Sequence, residues 1–217
     1  MNATQVKNQC ANLPDHSVQI SISGGKGYCF LKRAVDIVGA LLGMVLMLIP
    51  GLIIVAAVRL ETPGPAFYKQ KRLGLNRKPF VIWKFRTMNL HAEDNGPQWA
   101  EKNDGRATKV GQFLRNTRLD EIPQLWNILA GDMSFVGPRP ERPYFYNIFE
   151  EYIPDFGKRM LVKPGLTGWA QVNGGYELQP EEKIVYDLEY IRNQGVKMDI
   201  LCLLKTFKLV FTHEGAR

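Results

Sequence analysis

The stretch TRLDEIPQLWNIL, residues 117–129, sets two carboxylates side by side, Asp120 and Glu121, with Arg115 and Arg118 just upstream. Such a pair with arginines beside it could serve an anionic substrate as well as the fold. A structural role also fits: Asp is a preferred helix N-cap, and an acid in a first turn complements the helix dipole by about 0.3–1 kcal/mol. Capping requires neither the second acid nor the arginines. Downstream, Arg139 stands between Pro138 and Pro140. A guanidinium on so stiff a segment loses little backbone entropy when it grips an anion, and Arg suits planar, bidentate phosphate contacts. A proline-rich surface turn with an incidental arginine is the competing reading.

The elements that must position these groups follow from periodicity. Leu125, Ile128 and Leu129 recur at helical spacing, which predicts a helix through DEIPQLWNIL with Pro123 in its first turn and Asp120 at or near its N-terminus. Ahead of it, ATKVGQFLRNTR places Val110, Phe113, Leu114 and Thr117 on one helical face and Arg115 and Arg118 on a neighbouring one. PAFYKQKRLGLNRKPFVIWKFRTM reads as two short strands around a Gly/Asn turn. In the second strand, alternation puts Lys84 and Arg86 on one face and Trp83 and Phe85 on the other. Residues 89–106 carry Asn-Gly, Gly-Pro and Asp-Gly turn signals and read as a long loop. LVKPGLTGWAQVNGG collects Lys163, Pro164 and four glycines around Trp169, a turn-rich stretch whose backbone N–H groups suit close approach to a ligand.

The flanking segments point to a membrane. Residues 37–58 carry no charge, and a bilayer core takes roughly 20 apolar residues as helix. Pro50, followed by Gly51, interrupts this run at a cost of about 3 kcal/mol in a straight helix. Lys26, Lys32 and Arg33 precede it and Arg59, Lys69, Lys71 and Arg72 follow it, so both flanks carry the positive residues that mark a cytoplasmic face. A re-entrant helix hairpin broken at Pro50 satisfies both observations; a tilted transmembrane helix with a tolerated proline is the alternative. At the other end, PEEKIVYDLEYIRNQ is an ordinary amphipathic helix. In KMDILCLLKTFKLVFTHEG, Ile200, Leu203, Leu204, Phe207, Val210 and Phe211 fall within roughly a third of the helical wheel, with Lys197, Lys205 and Lys208 opposite. Such a helix lies in a bilayer interface or packs on the core.

Composition agrees with one domain: 217 residues, 45% hydrophobic, with 28 Lys+Arg against 21 Asp+Glu, a net charge of +7 that favours anionic partners. Cys10, Cys29 and Cys202 form neither a disulfide framework nor a thiolate metal site, and His16, His91 and His213 are scattered singly. A metal here should be a hard ion held by oxygens, such as magnesium with phosphate. The expected organisation is a flexible leader over 1–27, a re-entrant membrane helix over 28–60 and a cytoplasmic catalytic domain over 61–217 ending in an amphipathic helix. The fold class is α/β and membrane-associated (monotopic), with a short β-hairpin and several helices, interfacial ones included.

Taken in order, KRAVDIVGALLG, IPG, GPAFYKQKRLG, KFRTM, LRNTRLDEIPQLWNIL, MSFVGPRPE and VKPGLTGWAQVNG resemble the bacterial sugar transferase family, monotopic polyprenyl-phosphate phosphoglycosyl transferases. The resemblance covers roughly residues 28–213 and implies a reaction. A UDP-sugar gives sugar-1-phosphate to undecaprenyl phosphate, releasing UMP, at the cytoplasmic face of the bacterial inner membrane, as the first membrane step of polysaccharide or glycoconjugate assembly. It implies Asp120 as nucleophile forming an aspartyl phosphosugar, and Glu121 in metal binding or in handling the lipid phosphate. It further implies Asp120 and Glu121 as ligands of Mg2+, Lys84, Arg115 and Arg139 as phosphate-binding cations, and Pro50 as the helix breaker. The implied partners are the UDP-sugar, undecaprenyl phosphate and membrane lipids, with no nucleic acid; a homodimer is left open. Two departures from the family pattern stand out: Gly175 and Tyr176 where many relatives carry Arg-Asn, and Ile49 before Pro50 where some carry a small hydroxyl residue. A membrane-attached basic nucleic-acid-binding or regulatory module and a lipid-phosphate hydrolase remain as competing readings. Neither the sugar nor the glycan is legible.

Overall fold

The computed structural model describes residues 24–94, 96, 104–175 and 178–212, with 210–212 as backbone. The leader up to residue 23 with Cys10 and His16, the middle of the loop after Asp94, Tyr176, His213 and the side chains of Val210 and Phe211 therefore lie outside the described residues. The chain opens with two apolar helices, α1 (Lys26–Leu46) and α2 (Leu48–Glu61), bent by 60° at their junction. Among the described residues no single helix is long and apolar enough to cross a membrane, whereas the bent pair together has the length and composition.

The break lies at Met47, three residues earlier than expected, and Pro50 sits in the first turn of α2. The reason is local: Pro50 has no N–H to give the carbonyl of Leu46, and its ring crowds that carbonyl, so the ladder fails one turn before the proline. Gly51 N–H resumes it on Met47 O at 2.8 Å.

Two strands, β1 (Phe67–Leu73) and β2 (Pro79–Phe85), then pair antiparallel, with Phe67 opposite Phe85 and Tyr68 opposite Lys84. Asn76 and Arg77 take positive φ in the connecting turn. Three short helices and a second pair of strands follow: α3 (Lys109–Asn116), α4 (Gln124–Ala130), β3 (Ser134–Val136), α5 (Pro143–Glu150) and β4 (Gly165–Thr167). β3 and β4 pair parallel. The chain closes with α6 (Trp169–Val172), α7 (Pro180–Arg192) and α8 (Val196–Thr212). The expected α/β class and hairpin are thus present.

The inner face of β2 carries Phe80 and Ile82 into a cluster with Ala40 of α1 and Leu125 and Ile128 of α4. Phe85, on the opposite face, packs with Ile54 and Val58 of α2 and Leu114 of α3. Trp83 shares that face of the strand, where Lys69 lies over its ring at 4.2 Å. A third cluster joins α5 to α7 through Tyr146, Phe149 and Ile184, and a fourth joins β3, α7 and α8 through Val136, Ile191 and Cys202.

Two buried polar groups fix the register between layers. Asn127 of α4, 1% exposed, accepts from Trp83 N–H at 3.1 Å and donates to Val81 O at 2.7 Å, satisfying the free edge of β2. Asp36 of α1 accepts from Ser134 Oγ at 3.0 Å and Phe135 N–H at 2.9 Å, which ties the apolar helix to β3. In the glycine-rich stretch after Lys163, Gly165 and Gly168 serve a close backbone crossing. A Cβ at Gly165 would stand 2.1 Å from Gly137 N, and one at Gly168 2.1 Å from Gly137 O.

Candidate active site

Asp120 does not cap a helix. It lies in a 3-10 turn, Leu119–Glu121, that Arg118 enters with φ +58 and that ends before α4. Pro123 explains this: without an N–H it cannot continue the α ladder back toward Leu119. The chain takes shorter bonds instead, Glu121 N–H to Arg118 O and Ile122 N–H to Leu119 O, each 3.2 Å. This turn also removes Arg118 from α3, whose last turn holds Arg115, so the two arginines are not neighbours on one helical face. On the same helix Phe113, expected in the apolar stripe, is 59% exposed while Leu114 is buried.

The turn aims both carboxylates at β2. Lys84 Nζ donates to Glu121 Oε1 at 2.7 Å and to Asp120 Oδ2 at 3.3 Å. Arg139, on its Pro-Arg-Pro segment, grips Glu121 with both terminal nitrogens. Behind Arg139, Arg159 donates Nη2–H to the Arg139 carbonyl at 3.0 Å and Nε–H to Asp187 of α7 at 2.6 Å, a fully buried pair. Arg139 is therefore fixed by its prolines and by an ion pair beneath it. The structure brings Lys84, Arg115, Asp120, Glu121 and Arg139 to one cleft and leaves Pro50 in the helix pair.

The two carboxyls are not equivalent. Burial pushes Asp120 above the usual carboxylate range, the charge of Glu121 adds to this, and Lys84 opposes it. Burial acts on Glu121 as well, but Arg139 and Lys84 overcome it and hold Glu121 well below that range. Glu121 is thus the fixed negative charge of the pair, and Asp120 the weaker acid with the more available oxygens. Ten Lys and Arg and four Asp and Glu line this cleft, a balance that draws anions.

Arg86 departs from expectation. It turns away from Lys84 and donates to Pro63 O, Thr62 O and Thr62 Oγ1 at 2.7–2.8 Å, closing the end of α2. Conversely, the face that Lys84 shares with β1 carries Tyr68, Gln70 and Arg72, a row that pairing the strands on paper would have found. Gly175, with φ +55, also lines the cleft. Among the described residues no group of three or more His, Cys, Asp or Glu side chains is placed to hold a metal. The oxygen donors nearest Lys84 are the two adjacent carboxylates, Asp120 and Glu121.

Comparison with known proteins gives this arrangement a family. The chain is 40% identical over 193 residues to the UDP-N-acetylgalactosamine-undecaprenyl-phosphate N-acetylgalactosaminephosphotransferase of Aeromonas hydrophila, covering 88% of this chain and 46% of that protein. It is 43% identical over 192 residues to the UDP-glucose:undecaprenyl-phosphate glucose-1-phosphate transferase of Escherichia coli K12, covering 86% of this chain and 41% of that one. The protein of the same description from Caulobacter vibrioides is 40% identical over 193 residues, covering 85% and 71%. The chain thus spans less than half the length of the first two relatives. The family model of the bacterial sugar transferases matches residues 27–213, which takes in both the bent helix pair and the acid pair, and the chain belongs to that family.

Proposed function

We propose that the protein transfers sugar-1-phosphate from a UDP-sugar to undecaprenyl phosphate, releasing UMP, from the cytoplasmic face of the bacterial inner membrane. The observation that carries this reading is the paired placement of Asp120 and Glu121 on Lys84, with Arg139 gripping Glu121 directly. Asp120 is left as the carboxylate able to attack. One Asp120 oxygen bonds to the phosphorus that bears the sugar, and the bond from that phosphorus to the bridging oxygen breaks, so that UMP leaves with that oxygen. An oxygen of undecaprenyl phosphate then bonds to the same phosphorus and the acyl phosphate bond to Asp120 breaks, restoring the carboxylate and forming the lipid diphosphate sugar. Each step exchanges one P–O bond for another, as covalent catalysis by a carboxylate requires.

Lys84, Arg115 and Arg139 supply positive charge where the phosphoryl oxygens gather. Magnesium suits this donor set, because it binds through one or two carboxylates completed by substrate phosphates and water rather than through an all-protein cage. Asp120 and Glu121 would hold it, and it would supply further neutralisation of the diphosphate. The helix pair, re-entrant in this reading, keeps the cleft at the surface where a soluble donor and a lipid-anchored acceptor meet.

The test supplies detergent-solubilised protein with Mg2+, undecaprenyl phosphate and a panel of UDP-sugars, and measures UMP. Mass spectrometry of protein quenched with donor alone should show one added sugar phosphate on the peptide carrying Asp120. Unmodified protein, together with kinetics that require both substrates bound at once, would replace the two-step route.

A further inference from the structure

The cleft has a second end, one cross-strand pair away from Lys84, whose electrostatics differ. Tyr68, Gln70 and Arg72 point from β1 to the same face as Lys84 and form a connected row. Gln70 Nε2 donates to Tyr68 Oη at 2.8 Å, and Arg72 Nη2 donates to Gln70 Oε1. Arg72 Nη1 also donates to Pro140 O at 2.9 Å and Glu141 at 3.2 Å. Arg142 makes a two-pronged pair with Glu93, at 2.8 and 3.2 Å. All of these residues except Pro140 line the cleft that holds Asp120.

Around the acid pair the arginines outnumber the carboxylates, whereas along this row each guanidinium already has its own: Arg72 has Glu141 and Arg142 has Glu93. An anionic group gains less where the charges balance than where cations are in excess. A neutral group rich in hydroxyls gains more, since carboxylate oxygens accept from it and amide, phenol and guanidinium hydrogens donate to it. Burial raises the Tyr68 hydroxyl above its ordinary pKa, with Glu93 adding to the shift, so the phenol stays protonated. Phe145 of α5, packed on the cluster of Tyr146 and Phe149, lines the same cleft and adds an apolar surface.

We infer that Tyr68, Gln70, Glu93 and Arg142 form the subsite for the sugar of the donor, and that Tyr68 and Gln70 set which hydroxyl pattern is accepted. This rests on the proposed reaction and goes further, placing the neutral sugar on β1 and the phosphates on the arginines beyond Lys84. A site built to hydrogen-bond a hydroxyl discriminates strongly against an analogue lacking it or presenting it elsewhere, because its own buried groups are then left unpaired.

The experiment compares wild type, Tyr68→Phe and Gln70→Ala with UDP-glucose, UDP-galactose and their N-acetylated counterparts. It measures kcat/KM for UMP release and inhibition by UMP, after thermal unfolding has shown that each variant is folded. The expected result is a change of roughly tenfold in the ratio of kcat/KM between two of the sugars, the effect of one hydrogen bond, with UMP inhibition within twofold of wild type. A uniform loss for every sugar with unchanged ratios would overturn the assignment. So would a changed response to UMP with unchanged sugar ratios, which would give the row to the nucleoside. If wild type released UMP from no UDP-sugar, the reaction itself would fall. The subsite would then be judged by calorimetry with the non-turning-over Asp120→Asn protein, where equal affinity for UDP and UDP-sugars would overturn it.

Discussion

Asp120 is held where its charge is expensive, and that cost can be separated from its chemistry. Its carboxyl is buried and its pKa raised. An acid whose folded pKa lies above the unfolded value of ~3.9 removes stability at pH above the folded pKa and removes none below ~3.9. Asp120→Asn keeps the shape and an oxygen for Lys84 but carries no charge. It should therefore abolish UMP release and labelling of the protein while raising the Tm at pH 7 by about 2–4 °C, a gain that shrinks as pH falls toward 4. A lower Tm at pH 7 would mean that the attraction of Lys84 outweighs burial. Glu121 gives the complementary case, since its charge helps raise Asp120. Removing that charge in Glu121→Gln should move the acid limb of the kcat/KM profile to lower pH, with a plateau lowered by roughly 10²–10³-fold. An unmoved limb would show that the two carboxyls titrate independently.

Short elements carry these groups, so their backbone contacts decide whether the cleft exists. Gly111 of α3 lies against Thr87 so closely that a Cβ would stand 2.0 Å from Thr87 O. Because the obstacle is backbone, it cannot rotate away. Gly111→Ala should push α3 off the segment that follows β2 and withdraw Arg115, at a cost of about 3 kcal/mol, seen as a lower Tm and weakened donor binding. Gly105→Ala, where a Cβ meets nothing within 4 Å, is the neutral control, and equal Tm values for the two variants would sink the argument. The hairpin and the helical segments were legible in the sequence, because alternation and i, i+3, i+4 spacing are local signals, whereas the meeting of Lys84 and Arg139 with the acid pair came only from the family resemblance. The position of the bend was not, since an apolar run with a proline does not say whether that proline sits at the break or in the turn after it. The partner of Arg86 and the pair beneath Arg139 were illegible for another reason: Arg159 and Asp187 lie 28 residues apart on elements whose own patterns are unremarkable. Capping stood as an alternative role for Asp120 because an acid before a helix satisfies that pattern whether or not the helix reaches it.

At the scale of the molecule, the apolar helices are bolted to the catalytic layer and cannot be treated as a detachable anchor. Arg33 of α1 donates to Ile128 O at 2.7 Å and Leu129 O at 2.8 Å, the closing carbonyls of α4. Asp199 of α8 accepts from Tyr28 Oη at 2.8 Å and Lys32 Nζ at 2.7 Å of α1, and from Tyr190 Oη at 2.8 Å of α7. Yet Phe30, Val45, Leu46 and Ile49 on the helix pair, and Leu204 and Phe207 on α8, are all more than half exposed. Covering a large apolar side chain is worth about 1.5–3 kcal/mol, so these surfaces call for an apolar covering, which the proposed membrane location supplies, while the rigid links require both ends of the helix pair to stay with the catalytic layer. A re-entrant arrangement meets both demands; a span would carry one end to the other side and break the Asp199 or the Arg33 contacts. Cys29 is exposed at the start of α1 and Cys202 is buried, which makes a direct test available. In a Cys10→Ser background, Cys29 and a cysteine placed by Glu151→Cys on the exposed end of α5 should both react with a membrane-impermeant maleimide in inside-out vesicles, and neither should react in intact spheroplasts. Reaction of Cys29 from the outside together with Glu151→Cys from the inside would establish a span, and would require the contacts of α1 with α4 and α8 to be absent in the membrane.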